Sequence, residues 1–148
     1  MEVSFYHLER QALDEALPRL LTRVLAGGHK ALVLADTDER VRHLNEKLWT
    51  FDPGSFLPHG MAGEDHAADQ PILLTTDEAN PAAADILVVV DGAVPQSMDA
   101  YGRCLDLFNG SDDEAVSAAR DRWKLYRERG YDVTYWKQDE SGRWEKKA

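Results

Sequence analysis

The run from Asp85 to Val90, DILVVV, constrains the fold of this chain more than any other segment. Its consecutive apolar residues are typical of a strand that is covered on both faces, as in the centre of a parallel sheet. The run from Lys30 to Ala35, KALVLA, has the same character. Both runs alternate with helical patterns along the chain. The sequence therefore predicts an α/β layer structure with a mostly parallel central sheet.

Further strands are predicted where β-branched, aromatic or alternating residues cluster. They are Val3 to Leu8, Ile72 to Thr75, Arg103 to Phe108 and Tyr131 to Trp136. We expect the last of them at an edge of the sheet. The tail from about residue 137 turns at Ser141-Gly142 and either frays or folds back as a hairpin.

Three amphipathic helices are predicted between the strands. The first carries a leucine stripe up to Gly27-Gly28, the second runs from Glu39 to Trp49 after an Asp36-Thr37-Asp38 cap, and the third runs from Asp112 to Gly130. Because proline is costly in a helix interior, Pro18 leads us to expect that the regular part of the first helix begins near Leu17.

The chain of 148 residues fits one domain, residues 1–148, which we expect to be a three-layer α/β/α structure. It is Rossmann-like but has no phosphate-binding loop, since neither G-x-G-x-x-G nor G-x-x-x-x-G-K-[ST] follows a strand. Cys104 is the only cysteine, so an internal disulfide is excluded, and we expect a buried core thiol. No signal peptide or membrane span is recognisable, so we expect a cytoplasmic protein with no membrane contact.

The third helix carries two neighbouring stripes. The apolar stripe consists of Val116, Ala119, Trp123 and Tyr126, and the basic stripe consists of Arg120, Lys124 and Arg127. An indole beside a guanidinium suits a peptide that ends in acidic residues, an apolar side chain and a free carboxylate. Trp123 and Val116 would take the side chain, and Arg120 the carboxylate. The alternative is that the apolar stripe only packs on the sheet and the basic stripe is only solvated.

Charge is unevenly distributed along the chain. The whole sequence has a net charge of −10, but residues 115–148 hold nine Lys or Arg against six Asp or Glu. A local basic patch on an acidic protein indicates a local acidic partner, and the overall sign disfavours bulk binding to a nucleic acid backbone. We therefore expect contact with DNA to be indirect.

The loop from Thr50 to Gly63 is rich in Pro and Gly but also holds Phe51, Phe56, Leu57 and Met61. It either covers the sheet edge or presents an apolar patch to a partner. His59 has no nucleophile or carboxylate set out around it. His7 is interpreted as a histidine on a strand face, and Asp65, His66 and Asp69 as a solvated loop, so no catalytic residue, metal or cofactor is predicted.

Several motifs together resemble the chi subunit of bacterial DNA polymerase III. They are FYHL, KALVLAD, LW followed by SFLPHGMAGE, ADILVVV, LDLFNG and AARDRWKLYRERGY, and they extend from about Val3 to Trp136. The resemblance implies a non-catalytic accessory subunit of the clamp-loader assembly. Such subunits link the polymerase to single-stranded-DNA-binding protein by capturing its acidic, phenylalanine-ended C-terminal tail, and they bind the psi subunit through a separate apolar surface.

The resemblance assigns the tail-binding role to Arg120 for the carboxylate, Trp123 for the ring, and Lys124 with Arg127 for the acidic residues. Val116 stands where a basic residue would extend the patch. The psi-binding role falls on Trp49, Phe56 and Pro58, with His59 nearby. A different partner at that loop, such as a repair helicase, stays open, and so does a small nucleotide-binding or enzymatic domain, which the sheet and the Asp36-Thr37-Asp38 turn would suit.

Overall fold

The computed structural model describes residues 1–52 and 56–148. Its strands are β1 (Glu2–Leu8), β2 (Ala31–Leu34), β3 (Gly60–Met61), β4 (Ile72–Thr75), β5 (Ile86–Val90), β6 (Arg103–Asn109), β7 (Asp132–Gln138) and β8 (Trp144–Lys146). The helices are α1 (Leu13–Ala26), α2 (Asp38–Thr50) and α3 (Asp113–Glu128), with a short 3-10 helix at Ala67–Asp69.

All eight strands form one sheet in the order β3-β4-β2-β5-β6-β1-β7-β8. Every pairing is parallel except the one between β7 and β8. Strands β2, β4 and β5 are buried along their whole length, as their continuous apolar runs predict. The predicted α/β class with a mostly parallel sheet is confirmed.

Two apolar cores separate the layers. The first core lies between one face of the sheet and the leucine stripes of α1 and α2. The second core lies on the opposite face, where Ala119 and Tyr126 of α3 pack with Val3, Phe5 and Cys104. The layers are therefore α1 and α2, then the sheet, then α3, which is the predicted three-layer arrangement.

The prediction that the regular part of the first helix begins near Leu17 is wrong, because α1 begins at Leu13 and contains Pro18. Pro18 is the sixth residue of the helix and is buried, and it forgoes only the hydrogen bond to the Asp14 carbonyl. The helix ends as the glycines indicate, since Gly28 has a φ of 80°.

The prediction of an edge position for the last long strand is also wrong. Strand β7 lies between β1 and β8, and β8 is the outermost strand on that side. Of the two alternatives for the tail, the structure has the hairpin, in which Gln138 pairs with Trp144 and Trp136 pairs with Lys146. Trp144 reaches the Tyr6 ring with centroids 5.0 Å apart, so the hairpin also adds an aromatic side chain to the first core.

Candidate partner-binding surfaces

Helix α3 is fixed at both ends by the residues that mark it in the sequence. Asp112 is the N-cap, and its side chain accepts a hydrogen bond of 3.0 Å from the Glu114 amide. At the other end Gly130 has a φ of 87°, and the Tyr131 amide donates to the Tyr126 carbonyl at 3.1 Å. These caps set the first and last residues of the helix.

The side of α3 that faces the sheet contains Ala119, Arg122 and Tyr126, all buried. The burial of Arg122 is not predicted from the sequence, because it is counted there among the basic residues of the C-terminal segment. Its Nε and Nη2 atoms donate to the two carboxylate oxygens of Asp106 on β6, at 2.8 and 3.0 Å. Arg122 therefore contributes to the packing of α3 and adds nothing to the exposed basic patch.

The residues predicted to bind a peptide lie together along one border of α3. We call Val116, Arg120, Trp123, Lys124 and Arg127 the α3 surface. Arg120, Lys124 and Arg127 are exposed, and Val116 and Trp123 are half-buried. Within residues 1–52 and 56–148, none of the three cations forms an ion pair or a side-chain hydrogen bond. The apolar stripe therefore packs on the sheet, while Val116 and Trp123 at its border stay partly accessible.

Trp123 is held in place by two aromatic neighbours. Its ring centroid lies 5.7 Å from that of Phe5 on β1 and 6.2 Å from that of Tyr135 on β7, the latter in an edge-to-face arrangement. Burial raises the pKa of Tyr135, the Glu9 carboxylate raises it further, and the Arg120 charge acts against both. Tyr135 therefore belongs beside Trp123 and Arg120, although sequence reasoning misses it. The alternation of β7 is the signal that places Val133 and Tyr135 on the α3 side.

The second predicted surface lies at the end of α2. Trp49 is 53% exposed and Phe56 is 66% exposed, with ring centroids 5.6 Å apart. Pro58 is half-buried, and His59 is buried beneath the Trp49 ring with centroids 4.6 Å apart. The His59 ring nitrogens contact the carbonyls of Leu57 and Asn45, so this histidine supports Trp49 from below. We call Trp49, Phe56 and Pro58 the Trp49 patch. Residues 53–55 of the same loop lie outside the described residues.

A crevice of about 760 Å³ opens at the carboxyl ends of the strands, between the first turns of α1 and α3. Ligands of open parallel sheets bind at such a position. Here, however, its lining includes the carboxylates of Glu9, Asp14, Asp91, Asp112 and Glu114. Arg40 also lines it, but its Nε atom donates to Asp91 at 2.7 Å. Carboxylates at the first turns of helices occupy the places where phosphate groups would otherwise bind.

The remaining sequence candidates do not assemble into a site. At the Asp36-Thr37-Asp38 turn, the Thr37 hydroxyl accepts a hydrogen bond from the Arg40 amide, which caps α2. His66 and Asp69 are exposed and 3.6 Å apart. Across residues 1–52 and 56–148, no group of three or more His, Cys, Asp or Glu residues is placed to hold a metal. Over the same ranges, none of the helices has the length and apolar character needed to cross a bilayer.

Comparison with known proteins agrees with this architecture. The chain is 30% identical over 89 residues to the probable DNA polymerase III subunit chi of Rickettsia prowazekii, a match that covers 60% of this chain and 54% of that protein. It is 25% identical over 123 residues to the DNA polymerase III subunit chi of Haemophilus influenzae, covering 82% and 85% of the two chains. A solved structure of the C-terminal domain of the DEAD-box protein Dbp5 superposes with a TM-score of 0.57 and 13% identity, covering 93% of this chain and 90% of that one. This last likeness concerns the fold alone.

A family profile also matches most of the chain. The profile described as DNA polymerase III chi subunit, HolC, matches residues 1–134, which include β1, all three helices and the start of β7. The α3 surface and the Trp49 patch both lie within this range. The chain therefore belongs to the DNA polymerase III chi subunit family.

Proposed function

We propose that this chain is a non-catalytic, cytoplasmic accessory subunit of the DNA polymerase III holoenzyme. In DNA replication it links the clamp loader to single-stranded-DNA-binding protein by binding the acidic C-terminal tail of that protein on the α3 surface. The observation that carries the proposal is the exposed Arg120 guanidinium, which has no ion-pair partner within the described residues and lies on the same helix border as the Trp123 ring.

The apolar end of the tail fits the half-buried part of this surface. Phe5 and Tyr135 hold the Trp123 side chain in place. Little side-chain entropy is therefore lost when the terminal phenylalanine ring of the tail packs against Trp123. Val116 lies about two turns before Trp123 on the same border and offers further apolar area. A terminal phenylalanine would rest against these side chains while its α-carboxylate reaches Arg120.

The acidic residues of the tail fit the charge around this position. Lys124 and Arg127 are exposed on the same helix, one turn and two turns after Arg120. The rest of the protein is acidic, which disfavours tail binding elsewhere on its surface. Charge complementarity thus supports a single binding position on α3.

The proposal is tested by calorimetric titration with a peptide that copies the acidic tail. We expect affinity in the micromolar range, and weaker binding when the terminal carboxylate is amidated. Arg120→Ala should cost on the order of 2 kcal/mol, the scale of a charge-assisted pair lost at a binding hot spot. Arg42→Ala, which removes an exposed arginine from α2, is the matched control and should bind as the parent does.

Amidation of the terminal carboxylate also tests which group of the peptide Arg120 contacts. If the guanidinium binds the terminal carboxylate, amidation should weaken the parent strongly and the Arg120→Ala variant very little. Equal losses in both proteins would mean that Arg120 contacts another part of the peptide. Binding of Arg120→Ala at parental affinity would contradict the proposed site.

We also propose that the Trp49 patch binds the psi subunit or another protein partner. Two large aromatic side chains that are more than half exposed and packed on each other are unusual on a protein surface that stays in water. The patch lies at the end of α2, on the opposite side of the sheet from α3. Both partners could therefore bind the same chain at the same time.

A nucleotide-binding or enzymatic role has less support. The crevice at the strand ends has carboxylates where phosphates would bind, and its Arg40 side chain is engaged by Asp91. A thermal-shift screen with nucleotides tests this alternative, because a ligand well above its dissociation constant raises the melting temperature. We expect no shift.

A further inference from the structure

His7 on β1 is a buried histidine that the two proposed surfaces do not use. It is 7% exposed, and both of its ring nitrogens have partners. Nδ1 contacts the Tyr135 hydroxyl, and Nε2 lies 2.8 Å from Glu9 Oε1. The other oxygen of Glu9 lies 3.4 Å from the Lys137 ammonium. His7 thus connects the end of β1 with two residues of β7.

For the neutral imidazole, the Glu9 carboxylate fixes the direction of both hydrogen bonds. The hydrogen bond from His7 holds the pKa of Glu9 below its usual value, so Glu9 is a carboxylate and can only accept. His7 Nε2 must therefore carry the proton and donate to Glu9. In the neutral ring Nδ1 is then an acceptor, and the Tyr135 hydroxyl donates to it.

The imidazole is also fixed by packing. Its ring lies edge-to-face against Phe108, with centroids 5.2 Å apart. Gly110 leaves the space that the ring occupies, because a Cβ atom at this glycine would lie 2.0 Å from His7 Nε2. The neutral His7 ring is consequently a rigid hydrogen-bond acceptor for Tyr135.

The Tyr135 side chain, which His7 holds in place, contacts the α3 surface. Its ring packs edge-to-face on Trp123, and its pKa responds to the Arg120 charge. We propose that His7 is a positioning residue for the α3 surface. By accepting a hydrogen bond from the Tyr135 hydroxyl, it fixes the Tyr135 ring, which lies beside Trp123 as a second aromatic contact for the peptide. This inference rests on the proposed binding of an acidic, aromatic-ended peptide to that surface.

The competing explanation is that His7 only stabilises the fold. A double-mutant cycle on peptide binding separates the two roles. Tyr135→Phe removes the hydroxyl and keeps the ring, whereas His7→Leu removes the acceptor. If His7 acts through the hydroxyl, each variant should weaken binding of the tail peptide about fivefold, the scale of one hydrogen bond. The double variant should then bind no more weakly than either single variant.

Two further variants complete the design. His7→Asn keeps an acceptor close to the position of Nδ1, so we expect it to restore binding to within about twofold of the parent, less than the effect of one lost hydrogen bond. Tyr131→Phe is the matched control, because it removes a tyrosine hydroxyl that bonds Asp99 away from Trp123. It should bind as the parent does. Thermal unfolding of every variant verifies that it is folded at the titration temperature.

The outcomes are distinct. If the parent does not bind the tail peptide, the proposed function and this inference both fail. If the parent binds but the losses from His7→Leu and Tyr135→Phe multiply in the double variant, only the inference fails. It also fails if His7→Asn binds as weakly as His7→Leu, or if Tyr135→Phe binds as the parent does.

Discussion

Arg122 of α3 and Asp106 of β6 form a two-point ion pair within the second apolar core, with side chains only 5% and 0% exposed. The guanidinium carbon also lies 6.0 Å from the Phe5 ring centroid. Phe5 in turn contacts Trp123. The pair therefore sets the rotation of α3 about its axis and, with it, which residues face solvent on the α3 surface.

Removing one partner of this pair should be strongly destabilising. Asp106→Asn leaves the Arg122 charge buried without a counter-ion, and we expect a loss of about 3 to 5 kcal/mol in the free energy of unfolding. Urea denaturation measures it. Glu145→Gln, which breaks the exposed pair with Lys147, is the control and should cost about 1 kcal/mol or less. Equal stability of the two variants would show that the buried pair does not hold α3.

Gly110→Ala should be far more damaging than an ordinary glycine substitution. The new Cβ would collide with the buried His7 imidazole at 2.0 Å and would force it away from Tyr135 and Glu9. We expect a loss of about 1 to 3 kcal/mol, the range for overpacking a close-packed interior. Gly102→Ala is the control, because its Cβ would lie an ordinary 3.7 Å from the Asp85 carbonyl oxygen. The melting temperatures of the two variants are measured, and similar values would contradict the predicted clash between the new Cβ atom and His7.

The salt dependence of peptide affinity should distinguish the charged contacts of the α3 surface from its apolar contacts. We expect the affinity for the tail peptide to fall as sodium chloride rises, because exposed charges are screened. A Lys124→Gln/Arg127→Gln variant should bind more weakly at low salt and show a shallower salt dependence. Val116→Ala should bind more weakly with the parental salt dependence, since it removes apolar area only. A double Gln variant that keeps the parental salt slope would exclude both cations from the contact.

The Trp49 patch should matter for partner capture and little for stability. Trp49→Ala and Phe56→Ala remove side chains that are mostly exposed, so we expect each to unfold within about 1 kcal/mol of the parent. In a pulldown from the native cytosol, both should lose a partner that an Arg120→Ala variant retains. Val94→Ala, at another exposed apolar residue, is the control and should retain every partner. Retention by the Trp49→Ala variant would contradict the proposed surface.

Cys104 should be chemically silent in the folded protein. It is fully buried, and burial raises the pKa of its thiol well above the usual value, so the reactive thiolate is scarce at pH 8. We expect a thiol-specific chromogenic disulfide reagent to modify it at least about a hundredfold more slowly in buffer than in denaturant, since opening of the core is required. Equal rates would show that the second core opens readily near β6.

Strands β2 and β5 and helix α3 can be predicted from the sequence because each carries a signal that does not depend on the rest of the chain. The buried runs of β2 and β5 have no polar face, and α3 has an acidic cap and a closing glycine. Strand β3 has no such signal. It comprises only Gly60 and Met61 within a segment rich in Pro and Gly, and its pairing depends on β4 beside it.

Charged residues that turn inward were harder to predict. Arg122 follows Ala119 by three residues and precedes Tyr126 by four, which places it on the buried side, but only a buried partner makes that position tolerable for a cation. That partner, Asp106, lies on the inward side of the alternating segment RCLDLF, between Cys104 and Phe108. Because each residue is charged, each alone would be predicted to be exposed. The spacing of residues within one helix or strand cannot show that the two side chains form an ion pair.

The sheet topology also determines when the protein can acquire its native structure. Strand β1 leaves the ribosome first of all the strands, but both of its neighbours come from the last third of the chain, β6 at Arg103–Asn109 and β7 at Asp132–Gln138. Until those residues are translated, β1 has neither of its native neighbouring strands. Pairing of β1 therefore requires the closure of long chain segments, which makes completion of the sheet a late and slow step of folding.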